Sequence, residues 1–205
     1  MGGCVDFRRY IVRQYDSSIT DIIFLDSDIY FHTSLLAYLL ESVKNIQNTY
    51  YIVTPHTVKL WDYTWDVLTH PKFKDCQYGF EKTFDATSVP EQEIGDVGLV
   101  ALNTFKFGGG WFNIYCAELW RFVDVPDELG PYGSEDTLVM WASDIMKSKG
   151  YDVQQYILSG QYICENYLYK SPYAKDLKFK SDKTKLLQQA NLAMPELLNK
   201  FKNRI

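Results

Sequence analysis

Long apolar runs are missing from this 205-residue chain. None approaches the roughly 18 residues that a membrane span needs, and the first residues do not resemble a signal peptide. Cysteine is sparse: Cys4, Cys76, Cys116 and Cys164 stand far apart with no C-x-x-C pair. That spacing points to neither a zinc site nor a disulfide framework, and it fits a reducing compartment. Histidine is rarer still, and His56 and His70 have no partner at metal-ligand spacing. Positive charge is in deficit, with 21 Lys and Arg against 26 Asp and Glu. The net charge of −5 argues against a nucleic-acid binder, whose footprint is a basic face. No internal repeat is present. The expectation is a soluble, cytoplasmic protein with no integral membrane segment.

What the chain does have is apolar and aromatic content. At 46% hydrophobic residues, 1–205 is expected to be a single domain, with 183–205 a C-terminal helical extension. Sixteen tyrosines and five tryptophans suit a packed core, and such amphipathic rings also line carbohydrate sites.

The organising stretch is DIIFLDSDIYF, Asp21–Phe31. Its apolar run Ile22–Leu25 reads as a buried, parallel strand, and Asp26 and Asp28 follow directly. A D-x-D triplet arises by chance in a chain this rich in aspartate, so its place at a strand end is what gives it meaning. Open α/β sheets bind ligands beyond the carboxyl ends of their strands. Two carboxylates there suit a hard divalent cation, Mn²⁺ or Mg²⁺, which in turn would hold phosphates.

Ahead of this strand, Asp6–Tyr15 reads as a helix with Phe7, Tyr10 and Ile11 toward the core and Arg8, Arg9 and Arg13 largely on the other faces, where solvation is the plainer account and contact with a phosphate the alternative. After it, Ser34–Ile46 is an amphipathic helix capped by Ser34 or Thr33, with Leu35, Leu36, Leu39, Leu40 and Val43 as its stripe. Tyr50–Thr54 is a strand stopped by Pro55. Strand, helix, strand favours an α/β sheet. Pro55–Glu93 has no sustained period. Asp96–Ala101 is a further strand, and Ile114–Phe122 a helix. Between them lies FGGGWFN, whose three glycines suit either a turn or the close approach of a ligand.

Ser134 is a natural N-cap for a helix over Ser134–Lys147, ended by Gly150. It places Glu135 and Asp136 in the first turn, where the macrodipole alone is reason enough for acids. Val153–Leu158 and Gln161–Leu168 read as two strands. Lys170–Asp182 reads as a polar connection, and Thr184–Lys202 as a terminal helix interrupted at Pro195.

Taken in order, FLDSDIYF, FGGGWFN and GPYGSEDT resemble three elements of the GT-A fold glycosyltransferases. These are the metal-binding D-x-D, a glycine-rich acceptor loop, and an acidic pair opening a helix. The last two are similar to those of inverting enzymes such as the β-1,4-galactosyltransferases. The resemblance covers roughly Asp21–Leu168 and implies a Rossmann-like mixed sheet flanked by helices. It implies a metal-dependent, inverting transfer of sugar from a nucleotide diphosphate donor, a UDP- or GDP-sugar, to a saccharide hydroxyl. Asp28 would hold Mn²⁺ or Mg²⁺ on the donor diphosphate, and Asp26 would contact the donor directly or through the metal. Asp136 would be the general base, and Glu135 would hydrogen-bond the acceptor. Gly109, Gly110 and Trp111 would shape the acceptor pocket.

Two departures qualify the match. Family members carry further βα units before the D-x-D for the nucleotide base, whereas only twenty-five residues precede Asp26. The expectation is therefore an N-terminally truncated domain, or one whose partner chain supplies that half. Relatives also supply a metal-ligating histidine after the acidic pair; no histidine follows His70, and Glu165 is the candidate substitute, with a surface acid the plainer account. Two rivals stand beside this reading. A haloacid-dehalogenase-like phosphohydrolase also places D-x-D after its first strand, but wants Thr or Val where this chain has Tyr30 and an acidic pair that ends a strand. The other rival is a non-catalytic saccharide-binding module on a degraded transferase fold.

Overall fold

Alternation along the strands sets the architecture. A computed structural model describes residues 4–15, 18–26, 29–57, 96–105, 112–165 and 177–205, with the backbone alone at 57, 165 and 177–181. Among these the strands are β1 (Asp21–Leu25), β2 (Ile29–Phe31), β3 (Tyr50–Thr57), β4 (Gly98–Ala101), β5 (Phe112–Cys116) and β6 (Val153–Glu165). The helices are α1 (Cys4–Gln14), α2 (Leu35–Val43), α3 (Ala117–Val123), α4 (Glu135–Ser148) and α5 (Leu177–Arg204). The strands form one mixed sheet in the order β1-β5-β3-β6-β2, with β4 also on β6. Ile22, Phe24, Ile52 and Tyr115 pack on the face that carries α1, α3, α4 and α5. Val53, Phe112 and Ile114 pack on the other, under Leu35, Leu39 and Val43 of α2. Each of those fully buried leucines contributes about 1.5–3 kcal/mol. No helix among the described residues is long and apolar enough to cross a membrane.

β1 departs from the parallel reading of its sequence. It lies at one end of the described strand order, antiparallel to β5, and its burial alternates. β3 is also antiparallel to β5, so β1 and β3 run the same way with β5 between them. The expected strand–helix–strand unit is therefore present, with a strand inserted into it. Among the described pairs only β3 and β6 are parallel.

Three other expectations are corrected. β3 does not stop at Pro55 but runs to Thr57. The register against β6 shifts between Pro55 and His56, and an irregularity of this kind tolerates a residue with no N–H to give. The two strands foreseen after Val153 are one, β6, bent where Gly160 takes φ 74°. The stretch Ile114–Cys116 belongs to a strand, and the helix begins only at Ala117. β5 is buried at all five positions, and a short run buried on both faces has no helical or strand period to betray it.

α1 is rotated from the expected face. Val5 and Val12 are buried, while Phe7 and Tyr10 are 63% and 65% exposed. The side of the helix that turns inward also carries Arg8 and Arg9. In α2 only Leu35, Leu39 and Val43 of the five predicted positions are buried, and Ser34 makes no side-chain cap. α5 begins at Leu177, within the stretch read as a polar connection, and continues through Pro195. It packs through Ala190, Met194, Leu197 and Phe201.

Candidate functional site

The carboxyl end of β1 delivers Asp26. Ile22 and Phe24 face the α1 side, and the alternation carries that face to Asp26, whose side chain is 39% exposed. Leu25 stands opposite Phe112, so β5 starts beside Asp26. The glycine-rich residues Gly109, Gly110 and Trp111 lie outside the described residues, as does Asp28. The backbone of Glu165 closes β6 opposite Ile29, the residue that follows Asp28. Asp26 and the backbone of Glu165, far apart in the chain, therefore follow or close the carboxyl ends of two strands, β1 and β6, that run the same way.

The second half of the site comes from the start of α4. Gly133 and Ser134 both take left-handed backbone conformations, at φ 85° and 65°. The left-handed φ is what holds Gly133 to glycine; a Cβ there would also stand 2.8 Å from Leu187 Cδ1, the tip of an exposed side chain that can move aside. Ser134 occupies the N-cap position but makes no side-chain cap, which corrects the sequence reading. Its hydroxyl donates instead to Asn191 Oδ1 at 3.0 Å. Beyond this turn Glu135 and Asp136 are buried, at 3% and 8% exposure. An acid kept in the first turn only for the macrodipole has no need of burial, and burial of a charge is costly without partners.

Arg8 supplies the partner. Its guanidinium pairs with the Glu135 carboxylate on one side and with Asp26 Oδ1 at 3.5 Å on the other. The group is 12% exposed and lies over the Phe24 ring, 4.9 Å from its centroid. Burial by itself lowers the pKa of Arg8, but the surrounding acids, Glu135 foremost, outweigh that and raise it. Arg9, at 10% exposure, ties α1 to the turn at Asp127–Leu129 through Asp127 at 3.2 Å and the carbonyls of Val125 and Pro126. Of the three arginines expected on solvated faces, only Arg13 is substantially exposed.

Asp136 is buried beside Glu135. Burial, and then the neighbouring Glu135 charge, push its carboxyl up to about 7; Arg8 and the Thr137 N–H, 2.7 Å from Oδ1, oppose the rise. The phenol of Tyr115, fully buried, is pushed well above the usual range by burial and by Asp136. It therefore stays protonated and is a hydrogen-bonding group at neutral pH. Asn113, hydrogen-bonded to Tyr115, accepts from Thr54 Oγ1 at 2.5 Å. Thr54, Asn113 and Tyr115 thus form a polar file along β3 and β5, within electrostatic reach of the acidic pair.

A carboxyl group that titrates near neutrality can accept or donate a proton in a reaction. A guanidinium presents a planar fork that grips a carboxylate or phosphate in two-pronged fashion, an edge that Arg8 could offer only after parting from one of its carboxylate partners. Tyr115 and Asn113 were missed as site residues, and Arg8 was read as solvated, with a phosphate contact only the alternative. The only sequence signal for Arg8 is that it shares an inward helix face with Val5 and Val12. Among the described residues no three His, Cys, Asp or Glu side chains are grouped as a metal site. A cavity of about 130 Å³ between α3, α4 and α5, lined by Val123, Leu138, Leu197 and Phe201 among others, contains none of the predicted site residues. Comparison with family models, with curated proteins and with solved structures finds no match for this chain.

Proposed function

We propose that this chain is a GT-A-like domain of a metal-dependent glycosyltransferase that moves a sugar from a UDP- or GDP-sugar to a saccharide hydroxyl with inversion. The observation that carries the reading is the single guanidinium of Arg8 between Asp26 and Glu135. The reaction needs the D-x-D end and the acidic pair at one site, and this bridge supports that. The mixed sheet with helices on both faces is compatible with the same fold.

In this reading Asp26 is a half-exposed oxygen ligand of the kind a hard cation takes, and the backbone of Glu165 ends β6 opposite Ile29, just after the D-x-D. Mn²⁺ or Mg²⁺ held by Asp26, Asp28 and Glu165 would neutralise charge on the departing diphosphate. Asp136 in its ionised form takes the acceptor proton, and Glu135 orients the acceptor hydroxyl. The buried surroundings of Asp136 raise its basicity, the property a general base requires. Gly109, Gly110 and Trp111 complete the acceptor pocket in this reading. The phosphohydrolase alternative wants its acidic pair at the end of a strand, and Glu135 and Asp136 instead open α4.

The test is a panel of nucleotide sugars with Mn²⁺, scored by thermal shift and by hydrolysis or transfer. A UDP- or GDP-sugar response lost in Asp28→Ala supports the transferase. Phosphate release from simple phosphomonoesters, or saccharide binding with no nucleotide response, overturns it.

A further inference from the structure

We propose that Arg8 couples the cation to the anion it carries, releasing Asp26 to an incoming divalent metal and offering the same guanidinium edge to a diphosphate while keeping Glu135. The inference rests on the transferase reading and names the residue that would bind the donor's phosphates.

The two carboxylate contacts of Arg8 described above are unequal. The pair with Glu135 is close and almost dry, with side-chain exposures of 12% and 5%. The contact with Asp26 is 3.5 Å long, and Asp26 is 39% exposed. Charge-assisted bonds are strong near 2.7–2.9 Å and weaken with distance and hydration, so the Asp26 arm is the one that yields. Phe24 under the guanidinium keeps the group in place when it does.

The charges give the direction. A divalent ion on Asp26 would stand a few ångströms from the guanidinium, and like charges at that range repel, an effect that solvent at half-exposed Asp26 screens but does not remove. Metal alone is therefore opposed by Arg8. A diphosphate on that metal reverses the sign, because its oxygens meet the planar fork of the arginine. The same residue thus weakens binding of the bare cation and strengthens binding of the cation–diphosphate pair. Such coupling makes each ligand dependent on the other.

Isothermal titration calorimetry on the full chain tests this with Mn²⁺ alone and with pyrophosphate at saturating Mn²⁺. Arg8→Gln should bind Mn²⁺ alone about 3–10-fold more tightly and pyrophosphate about 10-fold or more weakly, within the usual range of coupling between sites. Arg8→Lys, which keeps the charge but not the fork, should leave Mn²⁺ affinity near wild type and weaken pyrophosphate binding. Since Arg8→Gln strands a buried Glu135, Arg8→Gln/Glu135→Gln is titrated as well and should show the same opposed shifts. If both affinities fall together, or neither moves, Arg8 is only a structural bridge and the inference is overturned. Asp26→Asn separates the two levels. Mn²⁺ binding lost in Asp26→Asn but without opposed shifts in the Arg8 variants leaves the metal reading standing and removes this inference. Mn²⁺ binding absent from the wild type, or indifferent to Asp26→Asn, removes both.

Discussion

Asp26 and Glu135 share one guanidinium, although one closes a strand near the start of the chain and the other opens a helix in its second half. The bridge is structural before it is functional. Removing one partner of a buried ion pair leaves the other charge uncompensated, at a cost of about 3–5 kcal/mol. Arg8→Ala should therefore lower the unfolding free energy by about 3 kcal/mol at pH 7 in urea titrations. Adding Glu135→Gln to that variant should restore much of the loss. An Arg8→Ala protein as stable as wild type would mean that Glu135 is solvated in solution.

Asp136→Asn is the direct test of the base. The amide keeps the shape but takes no proton, so transfer should fall by about 10²-fold or more while Mn²⁺ affinity stays near normal. In the wild type the base works only when ionised, so the rate should climb with pH through about 7 and level above it. The Asn variant should lose that limb. A rate that is flat between pH 5 and 9 in the wild type would remove Asp136 from the chemistry.

The same carboxyl has a signature in stability. Its value is raised from 3.8 to about 7 by burial and by Glu135, so between those pH values the folded chain holds a proton that the unfolded chain has lost. Stability from this group is thus full below about pH 4 and declines as pH rises through about 7. At pH 8 Asp136→Asn should be more stable than wild type by about 1–3 kcal/mol, with the gap narrowing at pH 5. Denaturant titrations at the two pH values check the sign.

The turn before α4 runs through two left-handed residues. Gly133→Ala puts a Cβ on a left-handed backbone, with Leu187 Cδ1 free to yield, and should cost about 1–2 kcal/mol. Ser134→Gly relieves a left-handed serine whose side chain caps nothing, and should gain about 0.5–1 kcal/mol less the lost contact with Asn191. Melting temperatures of the two variants should move in opposite directions.

Motifs in the sequence pointed to the candidate site and periods to the fold, and both failed where neither signal applies. Asp26, Glu135 and Asp136 were readable because strand ends and helix starts have local signatures, and two of the three now meet at Arg8. Arg8 itself was hidden: a short helix with apolar residues on two faces does not say which one is covered, and exposed Phe7 and Tyr10 outweighed Val5 and Val12. Tyr115 and Asn113 were hidden because β5 is covered on both sides. β1 looked parallel because an apolar run records burial, not the direction of its neighbour. The N-cap role of Ser134 failed for another reason, since tertiary contact with Asn191 took the hydroxyl that local rules assign to the helix.

The pairing of Leu25 with Phe112 also makes β1 behave like a reading frame. One residue inserted between Ile22 and Leu25 would leave composition and hydropathy almost untouched. It would nevertheless exchange the two faces of everything downstream in the strand and carry the Asp26 carboxylate through to the α2 side of the sheet.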